Sequence, residues 1–373
     1  MAFIIAAASA LPEHYYPQTV LASAFRKYFL LKEFNFDLDK IDSLFTNVNI
    51  KGRYLALPLD SFYEPSEVPS EVVMAIKPCV DLAEKAVSAV LTQAAMAPQD
   101  ISQLTGVSLT PATPSLDARL MNRIPFSPML KRLPIFGVGC MGGAFALARV
   151  ADYLKGHPQE AAVLFAVELS SVLWQGSFQR ELSFMFRNLP QNSSCYHDIM
   201  MTIITAALFA DGAGAVLMVG QDHPLAQPGQ LQVIDSRSIV VPNTIHLMGL
   251  DHVETGFRNI LRPEVGDALK IGLRQAIDSL LSHHSLSINK IARWIVHPGG
   301  PKVIAAVEEE FGLDPQALHL SRETLKEIGN ISSATVLYML NRTLSGKQPT
   351  SGSYGLMIAM GPGFSQEVIL LKW

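Results

Sequence analysis

The stretch Arg132-Leu-Pro-Ile-Phe-Gly-Val-Gly-Cys140 joins a predicted strand to a predicted helix, Met141–Lys155, which is rich in alanine and leucine. The next segment, Ala161–Glu168, is apolar up to its final glutamate, a pattern typical of a strand that helices cover on both faces. Strand, helix and strand in this order predict a parallel βαβ unit. The sequence therefore predicts an α/β fold.

The second half of the chain repeats this order of elements. Ala292–His297 is a predicted strand, Gly329-Asn330 opens the predicted helix Ser332–Leu344, and Tyr354–Met360 is the matching strand. Two similar halves predict duplicated domains in a layered α/β/α/β/α arrangement, with the first half spanning residues 1–222 and the second residues 223–373. Chance similarity between two ordinary βαβ units is the alternative.

Composition and charge argue against several classes of protein and indicate a cellular location. The 373 residues carry a net charge of -4, which argues against a general nucleic-acid surface. The three cysteines, Cys79, Cys140 and Cys195, are widely spaced, so we expect free thiols in a reducing cytoplasm and no metal site. The apolar start of the chain lacks basic residues and falls short of the ~20 residues of a membrane span. We therefore expect a cytoplasmic protein without a membrane span.

Cys140 is the candidate nucleophile. It lies in Gly137-Val-Gly-Cys-Met-Gly-Gly143, where glycines allow a tight turn between strand and helix. A helix N-terminus favours negative charge, which should lower the pKa of the thiol and produce a thiolate. A thiolate can attack a thioester and hold its acyl group. The alternative is a buried structural cysteine, which is our interpretation of Cys79 and Cys195.

His297 and Asn330 are candidates for the same site. His297 ends a hydrophobic strand, and Asn330 begins a helix at the position that corresponds in the repeat to Cys140. A neutral imidazole and an amide both offer N–H donors, which together would form an oxyanion hole for the enolate left when a malonyl thioester loses CO₂. No metal is required. For Asn330 the alternative is simple helix capping.

Six motifs resemble the chalcone and stilbene synthase family, the type III polyketide synthases, over nearly the whole chain. They are Pro114-Ser-Leu-Asp-Ala-Arg119, Gly139-Cys-Met-Gly-Gly143, Ala207-Leu-Phe-Ala-Asp-Gly212, His297-Pro-Gly-Gly-Pro301, Gly329-Asn-Ile-Ser-Ser-Ala334 and Gly361-Pro-Gly-Phe364. The resemblance implies the thiolase fold, Cys140 as nucleophile, and His297 with Asn330 as the decarboxylation pair. It implies acyl-CoA and malonyl-CoA as substrates and no further cofactor.

The sequence looks closest to the bacterial branch of alkylresorcinol, alkylpyrone and phloroglucinol synthases. That branch implies a medium- or long-chain fatty acyl starter, iterative condensation with malonyl-CoA, and ring closure to an alkylresorcinol, an alkylpyrone or a related phenolic. An acyl-carrier protein is an alternative donor of the starter. Two other functions remain open: a ketoacyl-carrier-protein synthase of the third kind, which performs one condensation, and a non-catalytic thiolase-fold partner.

The resemblance also places residues around the substrate. Phe209 matches a phenylalanine that gates the cavity, and Thr113 matches a residue that reaches into a neighbouring subunit, which implies a homodimer. The other matching positions line the chamber or shape the cyclisation loop: Ser170, Leu173, Ser332, Gly361, Pro362 and Gly363.

Several positions depart from the family pattern. Asn259 stands where plant members have a second gating phenylalanine. Of the basic cluster that binds the CoA phosphates, only Lys40 is present, and Lys302 is a candidate substitute. An apolar insertion spans about residues 176–197. It is either a surface helix packed on the body, or a lid, tunnel wall or dimer contact.

Overall fold

A computed structural model describes residues 1–62, 71–189, 194–254, 256–262 and 264–373, with the side chains of 61, 62, 71, 72, 173–178, 194, 252 and 256 left out. Within these residues the helices are α1 (Gln18–Leu31), α2 (Leu38–Asn47), α3 (Glu71–Gln93), α4 (Leu116–Leu120), α5 (Gly142–Gly156), α6 (Ser170–Asn188), α7 (Ser194–Leu208), α8 (Val265–His283), α9 (Pro301–Phe311), α10 (His319–Ile328) and α11 (Thr335–Ser345). Among them, no helix is both long enough and apolar enough to cross a membrane.

The described strands form one large sheet and two small antiparallel pairs. They are β1 (Ala2–Ala10), β2 (His14–Pro17), β3 (Gly52–Leu55), β4 (Ile101–Val107), β5 (Lys131–Ile135), β6 (Ala161–Leu169), β7 (Asp211–Gly220), β8 (Gln232–Val240), β9 (Met248–Val253), β10 (Gly256–Leu261), β11 (Ile291–Val296), β12 (Tyr354–Gly361) and β13 (Ser365–Lys372). The large sheet has the order β11-β12-β13-β8-β1-β7-β6-β4-β5, while β9 pairs with β10 and β2 with β3.

The strand order is duplicated about the middle of the large sheet. In the first half β4 and β6 are parallel, and β6, β7 and β1 follow antiparallel. In the second half β11 and β12 are parallel, and β12, β13 and β8 follow antiparallel. The two halves meet where β1 pairs with β8 through Ala2–Val233 and Phe3–Gln232. The predicted duplication is therefore confirmed.

Helices cover both faces of each half, which gives the five predicted layers. Leu147 of α5 and Leu337 of α11 are buried in a central core together with Leu164 of β6 and Met357 of β12. The outer face of the first half packs against α3, and that of the second half packs against α8. The continuous apolar strands noted in the sequence need this cover on both sides.

The apolar insertion extends α6 and leads into α7, with residues 190–193 outside the described part of the chain. Leu182 and Met185 are buried, and the ring of Phe186 stacks on that of Phe34 with centroids 4.2 Å apart. Phe186 also meets Phe29 of α1 edge to face. These three side chains thus pack on the body of the protein, which agrees with the surface-helix interpretation, whereas Phe184 is exposed.

Candidate active site

Cys140 lies in a single 3₁₀ turn, Gly139–Met141, between β5 and α5. Gly139 has a φ of 53°, and a Cβ atom there would lie 2.5 Å from the Cδ atom of Pro362. Glycine is therefore needed both for the backbone conformation and for the close approach of the loop that follows β12. As a result, Pro362 borders the cavity beside the cysteine.

Ser332 and Asn330 meet Cys140 from the second half of the chain. The Ser332 Oγ atom lies 3.5 Å from the Cys140 Sγ atom. Ser332 has a φ of 51°, a strained conformation for a residue other than glycine. The Asn330 Oδ1 atom accepts hydrogen bonds from Ser332 N at 2.8 Å and from Thr335 Oγ1 at 3.4 Å. The Asn330 oxygen therefore holds the backbone that enters the 3₁₀ turn Ser332–Ala334, but the N-cap residue of that turn is Ile331.

These two hydrogen bonds use only the oxygen of the Asn330 side chain. Its Nδ2 atom is buried and makes no hydrogen bond of ordinary geometry to the residues that the structure describes, although the amide is near enough to the Cys140 thiol to lower its pKa. Both ring nitrogens of His297, which is fully buried at the end of β11, also have no hydrogen-bond partner among the described residues. Buried polar groups nearly always have partners, so donors left open in this way indicate a place for a ligand atom.

The backbone of His297 is held by its neighbours while the ring remains open. Its N–H donates to Ile358 O of β12 at 2.8 Å, and Ser321 Oγ donates to the preceding carbonyl, Val296 O, at 2.7 Å. Burial lowers the pKa of His297 to about 3. The imidazole is therefore neutral near pH 7 and carries one N–H, as an oxyanion hole of neutral donors requires.

The expected lowering of the thiol pKa is wrong. Burial raises the pKa of Cys140 to about 12, the nearby Glu168 carboxyl raises it further, and the Ser332 hydroxyl and Asn330 amide only partly offset both. The glycine-rich turn and the residues packed over it remove the thiol from water, which disfavours the charged form. A thiolate at Cys140 therefore needs a partner that takes its proton.

A cavity of about 80 Å³ opens beside the cysteine. Most side chains in its wall are apolar, whereas Ser170, Asn259 and Ser332 supply polar groups. It is lined by Leu109, Gly139, Cys140, Ser170, Phe209, Met248, Gly249, Leu250, Phe257, Asn259, Ser332 and Pro362. Six residues that the sequence assigned to the site thus share one wall: Cys140, Ser170, Phe209, Asn259, Ser332 and Pro362.

Other wall residues were missed by the sequence analysis. Leu109 follows β4, and Met248, Gly249, Leu250 and Phe257 belong to the β9–β10 hairpin. Their signal in the sequence is weak, since nothing but their place near Asn259 distinguishes them from other apolar residues. Asn259 itself donates from Nδ2 to Thr205 Oγ1 at 2.7 Å, which ties the hairpin to α7.

His297 and Asn330 are fully buried and are not among the residues that line this cavity, and the other sequence-assigned residues are also absent from its wall. Thr113 is exposed and borders a separate surface cavity of about 380 Å³. Gly361 and Gly363 flank Pro362, and the side chain of Leu173 is outside the described part of the structure.

The two candidate lysines are also outside the cavity wall as described. Lys40 Nζ lies 2.6 Å from the hydroxyl of Tyr196, at the start of α7, and also packs over its ring. Lys302 is exposed in the first turn of α9. The insertion therefore contacts the lysine that was assigned to the CoA phosphates.

Comparison with known proteins adds to this geometry. Residues 1–223 match the N-terminal domain of the chalcone and stilbene synthases, and residues 232–373 match the C-terminal domain. The chain is 36% identical to 1,3,6,8-tetrahydroxynaphthalene synthase of Streptomyces peucetius subsp. caesius, over 99% of this chain and 93% of that protein.

Two crystal structures share the fold over all of this chain. One is PKS-I of the brown alga Ectocarpus siliculosus, with a TM-score of 0.85, 22% identity and 98% of that chain covered. The other is 1,3,6,8-tetrahydroxynaphthalene synthase of Streptomyces coelicolor A3(2), with a TM-score of 0.83, 25% identity and 99% of that chain covered. The layered α/β body is thus the thiolase fold. The chain belongs to the chalcone and stilbene synthase family and is an acyltransferase, a type III polyketide synthase.

Proposed function

We propose that this enzyme extends an acyl group carried on Cys140 with malonyl units, and that His297 and Asn330 stabilise the enolate formed when malonyl-CoA loses CO₂. One observation supports the proposal above the others. Asn330 Nδ2 and the ring nitrogens of His297 are buried without hydrogen-bond partners among the described residues. Open donors in a dry site stabilise a developing oxyanion strongly, because no water has to be reorganised.

The first step loads the enzyme. The Cys140 sulfur attacks the carbonyl carbon of an acyl-CoA while its proton passes to the neutral His297 imidazole. The carbon–sulfur bond to CoA then breaks, and the imidazolium gives the proton to the departing sulfur, so CoA leaves as the thiol and His297 is neutral again. The raised pKa of Cys140 and the lowered pKa of His297 make this transfer unfavourable before substrate binds. Proton transfer is therefore coupled to thioester attack in this proposal, rather than preceding it.

The second step forms the carbon–carbon bond. Malonyl-CoA loses CO₂, and the electron pair of the broken bond forms an enolate whose oxygen accepts from Asn330 Nδ2 and from the histidine N–H. The enolate carbon attacks the acyl carbonyl on Cys140, and the carbon–sulfur bond to Cys140 breaks. Transfer of the lengthened chain back to Cys140 starts another cycle, and ring closure ends the series.

The cavity wall bears on the choice of starter. The wall of Leu109, Phe209, Met248, Leu250 and Phe257 favours an apolar acyl group, in line with a medium- or long-chain fatty acyl starter and an alkylresorcinol or alkylpyrone product. A cavity of about 80 Å³ is small for a long chain. A long acyl group would therefore require the β9–β10 hairpin or the insertion to move.

A second candidate uses malonyl-CoA as both starter and extender. It is supported by the 36% identity to a protein named 1,3,6,8-tetrahydroxynaphthalene synthase and by the small size of the cavity. Products from malonyl-CoA alone, and from malonyl-CoA with acyl-CoA starters of two to sixteen carbons, can be compared by mass spectrometry. Product from malonyl-CoA alone favours this candidate, whereas a product whose mass follows the starter favours the fatty acyl proposal.

The same experiment tests the main proposal. Counting the malonyl units per product separates iterative extension from the single condensation of a ketoacyl-carrier-protein synthase. A Cys140→Ala variant that still makes product from acyl-CoA and malonyl-CoA would overturn the role of Cys140. Absence of an acyl adduct on Cys140 in the wild type with every acyl-CoA of the panel would instead favour a non-catalytic partner.

The remaining assignments belong to the same proposal. Lys40 and Lys302 are kept as contacts for the CoA phosphates, with an acyl-carrier protein as an alternative donor. Thr113 is assigned to the interface of a cytoplasmic homodimer. A sedimentation experiment that gives the mass of a monomer at micromolar concentration would contradict the last assignment.

A further inference from the structure

Side chains hold the C-terminal end of α7 from outside the helix. The last carbonyl groups of a helix have no intrahelical partners. Here Arg53 Nη1 donates to Ala206 O at 2.6 Å and also to Phe209 O. Gln18 Nε2 donates to Ala207 O at 2.8 Å. The backbone N–H of Asn330 donates to Leu208 O at 3.0 Å. Four successive carbonyls therefore have donors, two of them from one arginine.

This cap fixes two residues of the active site. Phe209 and Asn330 form a parallel β-bridge, in which Asn330 N donates to Leu208 O and Ala210 N donates to Asn330 O at 2.9 Å. Gly329, with a φ of 74°, packs directly on the arginine, since a Cβ atom there would lie 3.0 Å from Arg53 Cδ. The backbone that enters Asn330 thus rests on the side chain of Arg53.

Burial of the charged Arg53 side chain is unfavourable, so capping of α7 alone does not explain why an arginine is placed here. Arg53 is 5% exposed, and burial lowers its pKa to about 9, partly offset by the Asp211 carboxylate. A glycine or a water molecule would satisfy a helix end without burying a charge. Gln18 Oε1 also accepts from Arg53 Nε at 3.1 Å, which orients the guanidinium plane toward the helix.

We propose that Arg53, oriented by Gln18, is a positioning residue that holds the Phe209–Asn330 bridge so that Asn330 Nδ2 faces the enolate oxygen. The inference rests on the proposed function of Asn330. Arg53 touches neither substrate in this proposal. Displacement of a catalytic donor by about 1 Å can reduce a rate by about 100-fold, so loss of this support should affect decarboxylation in particular.

The test separates the two half-reactions. Release of CO₂ from malonyl-CoA reports on Asn330, and the mass shift on incubation with an acyl-CoA reports on Cys140. We expect Arg53→Gln to slow CO₂ release by about 10- to 100-fold. Acylation of Cys140 should slow by a much smaller factor, because Arg53 reaches the thiol only through Phe209 and the Asn330 amide. Arg53→Lys should recover part of the loss, because an ammonium can still donate to the helix carbonyls but lacks the Nε donor that Gln18 orients.

Arg322→Gln is the matched control. Arg322 also clamps a backbone carbonyl, Pro315 O at 3.0 Å, and pairs with Glu308, but it joins α9 to α10. It should leave the ratio of the two half-reactions unchanged. If Arg53→Gln does not fold, the same two measurements on Gln18→Leu test the positioning role, because this variant removes the group that orients Arg53.

Equal losses in both half-reactions, or no loss in a folded variant, would overturn the positioning role. A wild-type protein that neither releases CO₂ nor is acylated at Cys140 would overturn the proposed function itself, and the positioning role with it. The two failures are therefore distinguishable.

Discussion

The Cys140 Sγ atom lies 3.5 Å from the Oγ atom of Ser332, a serine whose backbone is in the left-handed region. The two residues belong to opposite halves of the chain, so their contact joins the duplicated halves at the site. The serine hydroxyl lowers the pKa of the thiol against the opposing effect of burial. Strain of this kind costs on the order of 1–3 kcal/mol and is common at functional sites.

Replacement of Ser332 separates its two effects. Ser332→Ala and Ser332→Gly both remove the hydroxyl, so both should slow alkylation of Cys140 by iodoacetamide at pH 8 to a similar extent. Only glycine relieves the backbone strain, so Ser332→Gly should be more stable than Ser332→Ala by about 1 kcal/mol in denaturant unfolding. Equal stability of the two variants would show that the conformation is not strained.

Decarboxylation should depend on the Nδ2 donor of Asn330. Asn330→Asp keeps an oxygen that can accept from Ser332 N and Thr335 Oγ1, but it removes the Nδ2 donor. We expect CO₂ release from malonyl-CoA to fall by about 100- to 1,000-fold. Circular dichroism and thermal unfolding provide the control for folding. Decarboxylation within a few fold of the wild type would contradict the oxyanion role.

Asn259, which is hydrogen-bonded to Thr205, should influence the choice of starter. Asn259→Leu removes the amide that Thr205 holds and makes the cavity wall more apolar. The kcat/KM for apolar starters should rise relative to that for acetyl-CoA, measured across the starter panel. Thr205→Val keeps the volume but leaves the amide without this partner, which should cost about 1–3 kcal/mol of stability. An unchanged starter preference in Asn259→Leu would count against this role.

The insertion should influence the starter through the β9–β10 hairpin. Glu181 of α6 is buried and its Oε1 atom accepts from Arg258 Nε of β10 at 2.6 Å, next to Asn259. Glu181→Gln weakens this link, so we expect a changed starter preference with CO₂ release from malonyl-CoA unaltered. Glu308→Gln breaks a comparable ion pair between α9 and α10 and serves as the control. Identical starter profiles for both variants would favour a purely structural insertion.

Glu168 should make stability depend on pH. Burial raises its pKa from 4.5 to about 7 in the folded protein. The folded state therefore favours the protonated form, and this contribution is complete below pH 4.5 and lost as the pH rises to about 7. Glu168→Gln removes it, so the stability lost between pH 5 and pH 8 should be smaller by roughly 3 kcal/mol.

Denaturant unfolding at the two pH values measures this difference. Glu13→Gln, at a largely exposed carboxylate, is the control. Equal pH dependence in the wild type and Glu168→Gln would contradict the prediction. Asp211 and Glu367 also have pKa values raised by burial, to about 6 and about 7, so part of the dependence should remain.

The elements were predictable because their signals are local. The apolar run Ala161–Glu168 and the glycines around Cys140 place β6 and α5 within one or two residues of their observed bounds. The duplicated order followed from the same signals in the second half. Asn330 was predictable as a partner of Cys140 because the repeat puts both at the start of a helical turn.

The cavity wall and the protonation states were not predictable in this way. Leu250 and Phe257 reach the site through the packing of a hairpin that has no local motif. The pKa of Cys140 depends on residues far along the chain, including Glu168 and Ser332, and on the exclusion of water by the whole fold. Lys40 resembles an exposed lysine in sequence, yet it contacts Tyr196 from the insertion.

The position of β1 at the centre of the sheet has a consequence for biosynthesis. Ala2 pairs with both Gly220 and Val233, so this early strand finds its partners only after most of the chain has been made. Pairing between residues so distant in sequence is slow because a long loop must close first. The apolar segment Phe3–Ala8 therefore has to remain unpaired on the nascent chain, where it is a natural target for chaperones until β7 leaves the ribosome.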